Sequence, residues 1–143
     1  MRGLAGKYEG KEGKKGMMAE KAAEIVGVLF MSRTYAHMAH LATSSYNVHM
    51  ALNDFYDDES DADFDVTEMA DAFAEVAQGK FGKLKVPVVE MTDNILMPAE
   101  GLQNQLDRIL ELAEGCDGRA MNAIVDQIEE LYLGTIYKIK ELN

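Results

Sequence analysis

The chain has no tryptophan, one cysteine and two prolines among its 143 residues. Cys116 alone can form no intrachain bridge, which excludes a disulfide-stapled scaffold and points to a reducing compartment. No apolar run reaches the roughly 18 residues that a membrane-crossing helix requires. The opening stretch MRGLAGKYEGKEGKKG has no apolar core and does not read as a signal peptide. No segment alternates as a strand does, no glycine-rich phosphate loop follows a strand, and no zinc-finger or metalloprotease spacing occurs. Histidine is almost absent too. The chain has three, His37, His40 and His49, and all fall within thirteen consecutive positions.

What is present is a globular composition, with 48% hydrophobic residues and a length suited to one domain with its own core. The net charge of −11 is unevenly placed. Five basic residues against two acidic ones give residues 1–17 a net +3, which leaves −14 for the rest. An acidic body disfavours non-specific nucleic-acid binding and attracts cations, whereas a basic arm favours polyanions locally. Residues 1–16 hold five glycines and four lysines without apolar periodicity, so residues 1–17 read as a flexible basic tail ahead of a domain at 18–143.

From Met18 the periodicity becomes helical, with Ala22, Ile25, Val26, Leu29, Arg33, Ala36, His37 and His40 on one face. The polar break TSSYN (43–47) offers Ser44 or Ser45 as a cap for a second helix. The acidic run DDESDAD (57–63) interrupts that helix as a solvated loop, and the pattern resumes at Val66 and ends near Gly79. A connection over 80–101 carries both prolines and a candidate short helix at 88–96. Two more helices follow, separated by the turn GCDG. The expected helices span 18–43, 46–78 with its interruption, 98–114 and 118–141. This is the plan of an all-α four-helix bundle with a crossover between the second and third helices.

His37 and His40 stand three positions apart and project from one helical face. Neutral imidazole ligates iron, zinc and copper, and carboxylates suit iron in particular. Asp71 and Glu75, at i and i+4 beside Glu68, stand outside any charge run and are candidate partners. The Glu-x-x-His signature of an intra-bundle di-iron centre is missing.

The segments HLATSSYNVHMALNDFYD and DAFAEVAQGKFGK resemble the Dps branch of the ferritin superfamily, and more closely the uncharacterised ferritin-like proteins encoded by phages and other large DNA viruses. The matching positions are His40, Thr43, Ser45, Tyr46, His49, Asp71, Glu75, Gly79, Lys80 and Gly82. The resemblance implies a ferritin-like fold and an iron site shared across a two-fold interface, with His40 and His49 from one chain facing Asp71 and Glu75 of another. His37 then serves as a support or as an alternative ligand. In Dps proteins tryptophan follows the first histidine, where this chain has Leu41, and the two histidines lie twelve apart, as His37 and His49 do here.

The implied function is ferroxidase-type iron binding and sequestration in a homo-oligomeric dimer or cage, with DNA protection through weak binding by residues 1–17. A phage-encoded protein of this kind would reside in the host cytoplasm or the virion. The alternative of a different class is a non-catalytic helical structural or interaction protein associated with a phage virion.

Overall fold

Alanine and methionine are the commonest residues from Met17 to Ala42, and both are strong helix formers. The first helix, α1, accordingly runs without a break over Gly3–Ala42. The structure is a computed structural model that describes residues 3–57 and 64–141. It is all-α: α2 spans Tyr46–Tyr56, α3 Val66–Phe81, α4 Pro98–Ala113 and α5 Arg119–Glu141, with no strand among the described residues.

Each start has a local cause. Ser45 caps α2 by accepting a hydrogen bond from the Val48 N–H at 3.3 Å. Asp65 accepts from the Glu68 N–H at 2.8 Å, while the Glu68 carboxylate takes the Asp65 N–H at 3.4 Å, a reciprocal capping box at the head of α3. Pro98 opens α4, where its missing N–H costs nothing.

The helices pack in a closed cycle. α1 lies against α2, α3 and α4, and α5 lies against the same three. α2 and α3 follow one another between α1 and α5 and scarcely touch each other. The core between them is built from Ile25, Leu29, Leu52, Phe55, Phe73, Leu102, Leu106, Ile109, Ile128 and Tyr132, all fully buried, and the Phe55 and Tyr132 rings meet edge to face at 4.9 Å.

The connection over 82–97 crosses α1 at Gly27. A Cβ there would lie 2.7 Å from the Pro87 carbonyl oxygen and 2.9 Å from Val89 Cγ2. Further along, the Tyr35 hydroxyl donates to the Asn94 carbonyl at 2.7 Å and stands beside the Met97 carbonyl. That hydroxyl fills the space a Cβ at Gly101 would need, so the pair fixes where the connection enters α4.

Four expectations change. The basic segment expected to be a flexible tail at 1–17 is continuous with α1 from Gly3 onward, because extending a formed helix is far easier than starting one. α3 runs through Gly79 and stops at Gly82, which holds φ +81. Residues 88–96 form no helix, since Tyr35 and Asn104 draw Asn94 and Asp93 into side-chain contacts instead. On α1, Arg33 and His37 are exposed while Ser32, Tyr35 and Ala39 are buried. Most of the acidic run, 58–63, lies outside the described residues.

Candidate functional site

Three residues, 43–45, reverse the chain between α1 and α2. The Thr43 N–H closes onto the Ala39 carbonyl at 3.0 Å, and Thr43 Oγ1 accepts from the Ser45 N–H at 3.2 Å. This tight return sets the last turn of α1 beside the first turn of α2, and so places His40 against His49. Their rings stack with centroids 3.6 Å apart and planes 27° apart. His40 Nδ1–H donates to the His49 carbonyl at 3.0 Å, and His49 Nδ1–H donates to the His40 carbonyl at 3.1 Å. His40 lies among the last residues of α1, whose carbonyls have no helical partner, so one of these bonds does the work of a C-cap.

Carbonyl oxygens only accept, so both bonds fix the proton on Nδ1. In each neutral ring the lone pair then sits on Nε2. A backbone carbonyl holding the second ring nitrogen is the usual support of a metal-ligating histidine. The third histidine joins the group: His37 stacks on Tyr56 at 4.6 Å, and Tyr56 meets His40 edge-on at 5.5 Å. Burial, and after it the charge of Asp57, pushes the Tyr56 phenol above its ordinary range, so it remains a neutral hydrogen-bonding group. The His40–His49 pair is half-buried and His37 is exposed.

Asp71 and Glu75 are both exposed on α3. No group of three or more histidine, cysteine, aspartate or glutamate side chains converges among the described residues. The described residues thus bring two imidazoles together without building a group of three donors around them. The stack adds a geometric condition. A ligated ion lies in the ring plane at about 2.1 Å from nitrogen. Two face-to-face rings cannot both meet that condition for one ion, so chelation by the pair requires one ring to turn out of the stack.

The interior is no substitute. Its buried polar residues are Ser32, Gln105 and Thr135, and no acid or histidine is buried among the described residues. Ser32 Oγ donates to Gln105 Oε1 at 2.6 Å, and Gln105 Nε2 donates to Asp93 at 3.2 Å, which joins α1, α4 and the connection by a polar seam. Burial holds the Tyr35 and Tyr132 phenols far above their ordinary range, with Asp93 and Glu100 adding to the effect at Tyr35 and Ser32 pulling the other way at Tyr132. This seam was legible only as a lone glutamine in the stripe Leu102, Gln105, Leu106, Ile109.

The model of DUF5856, a family of unknown function, matches residues 40–139, about two thirds of the chain. The chain belongs to that family. No curated protein and no solved structure matches it. The DUF5856 span begins at His40 and takes in Ser45, His49, Asp71 and Glu75, while His37 and the basic segment precede it.

Proposed function

We propose that the chain is a Dps-like, ferritin-type protein that binds ferrous iron as its substrate, at a site completed between two copies, where an external oxidant, dioxygen or a peroxide, takes one electron from each ion. α2 and α3 act as one interrupted column of a four-helix bundle, with the 82–97 connection as its crossover. His40 and His49 of one copy supply imidazole nitrogens, one ring turning out of the stack and releasing its carbonyl bond on ligation, and Asp71 and Glu75 of a second copy supply carboxylates, with His37 beside the pair. The observation that carries this reading is the fixed tautomer: both Nδ1 atoms are held by carbonyls, which leaves two Nε2 lone pairs as acceptors at the surface. The exposed positions of Asp71 and Glu75 support it, because such carboxylates are available to a second molecule. Storage in a cage and weak DNA contact through residues 1–17 extend the same reading, and the acidic body favours approach of cations.

The test uses the purified native assembly. Its mass is measured by light scattering, its iron content by elemental analysis, and ferrous oxidation is followed spectroscopically. Glu75→Ala and His49→Ala should each abolish oxidation. A two-fold site shared between chains predicts that a random mixture of the two variants regains about a quarter of the intact sites. No recovery, with both variants folded and exchanging subunits, overturns the shared site.

A second reading rests on the same histidines. Their reciprocal hydrogen bonds close the α1–α2 turn without any ligand. In a structural or interaction protein, His49→Ala would lower stability, and the wild-type assembly would contain no stoichiometric metal.

A further inference from the structure

Residues 84–92 run without turn or bend between α3 and α4. Beside them lies a groove of about 380 Å³, lined by Gly27, Phe30, Met31 and Thr34 of α1 and by Val86–Val89 and Met91 of the connection. Val88 is fully exposed, and Phe30 and Val86 are more than a third exposed. The backbone here has no hydrogen-bond partner among the described residues: the first backbone bond in the connection after the Gly82 cap is Met97 N–H to Asn94. Open N–H and C=O groups along a straight segment form an edge on which another extended chain can pair, and an adjoining apolar groove takes alternate side chains of that chain. The charge is local and distinctive. Lys83 and Lys85 are exposed at the start of the segment and form no ion pair among the described residues, in a chain whose net charge is −11, while the exposed Glu90 marks its far end, so the basic half is the one that meets carboxylates.

We propose that residues 84–92 are a docking edge for an extended peptide segment of a partner protein, one that alternates apolar with acidic residues. The partner's backbone pairs with the open groups around Val88. Its apolar side chains enter the groove against Phe30 and Val89, and its carboxylates meet Lys83 and Lys85. This surface is independent of the histidine pair, which lies at the α1–α2 turn.

The experiment uses the full chain and a fluorescein-labelled decapeptide alternating aspartate with valine, read by fluorescence anisotropy, with a lysine–valine peptide of equal length as control. The intact chain should bind the acidic peptide and not the basic one. Val88→Pro removes one backbone donor and one side chain at a fully exposed position, and should weaken binding by about tenfold or more. Lys83→Glu with Lys85→Glu should weaken it by at least as much and steepen its loss with salt. An unchanged helical melting curve for each variant separates loss of docking from loss of fold. The proposal is overturned if the intact chain binds neither peptide, if it binds both equally, or if Val88→Pro changes nothing. It is overturned as well if sedimentation shows that the chain alone pairs through this face and that Val88→Pro abolishes the pairing, because the occupant is then a second copy.

Discussion

Among the described residues two short turns join helices, and they are closed by different means. At 114–118, between α4 and α5, the closure is backbone: Gly115 N–H to Leu112 at 3.1 Å and Cys116 N–H to Ala113 at 3.0 Å, with the Lys80 ammonium on the Asp117 carbonyl and the Cys116 thiol 3.6 Å from the Met18 carbonyl. At 43–45 side chains are added to the backbone bond from Thr43 N–H to the Ala39 carbonyl: Ser45, Thr43 and the His40–His49 pair. The first turn shows that this fold can reverse direction without imidazole. The concentration of titratable, metal-competent rings at the other turn therefore exceeds what the reversal requires.

The comparison can be broken most severely beneath the histidine turn. Phe55→Ala should cost about 3–5 kcal/mol, read by urea denaturation, because a fully buried ring against Tyr132 leaves a cavity. His49→Ala strips the His40 carbonyl of its donor and the His40 ring of its stacking partner, and should cost about 1–3 kcal/mol in the metal-free protein. If it costs nothing, the pair has no structural role. Ser45→Ala should cost about 1 kcal/mol by loss of the cap.

Alkaline pH tests a different part of the interior. Tyr35 and Tyr132 have ionisation raised by burial in the folded state, so their contribution to stability is complete below the ordinary tyrosine range. It is lost progressively as pH rises above about 10, where the unfolded chain ionises first. Tyr132→Phe should flatten that decline in pH-dependent denaturation. At the opposite turn the effect is smallest and kinetic. Burial pushes the Cys116 thiol up, against the opposing pull of Lys21 and Lys80, so alkylation by iodoacetamide in the native protein should be slow, and urea should accelerate it.

The helices were legible because their causes are local. A cap at Ser44 or Ser45, a helix start at 98 and the wide stripe from Met121 to Ile139 are read from the sequence; the structure selects Ser45, and the ends of α2, α4 and α5 lie within a residue or so of expectation. The misplaced features depend on contacts distant in sequence. Arg33 was assigned inward because hydropathy cannot show that Ser32 has a buried partner 73 positions away in Gln105. The stretch 88–96 has helical residues, yet it runs past Gly27 and then bends and turns over 93–96, where Tyr35 captures the Asn94 carbonyl. The histidine cluster was visible as a cluster, and the nearness of His40 to His49 followed from the turn. The stack and the paired carbonyl bonds did not, since sequence carries no rotamers.

The contact between Tyr35 and Gly101 bears on how this sequence can change over time. A methyl at position 101 alone strikes the phenol, and a shorter residue at 35 alone empties the space the phenol fills and frees the Asn94 carbonyl. Each single step is therefore costly, while the two together compensate in part, so the double variant should be less destabilised than the sum of its parts. In homologues that extend to position 35, the two positions are expected to drift as a pair: where a side chain has appeared at 101, a smaller residue should stand at 35, and the entry of the connection into α4 should be secured by some other bond.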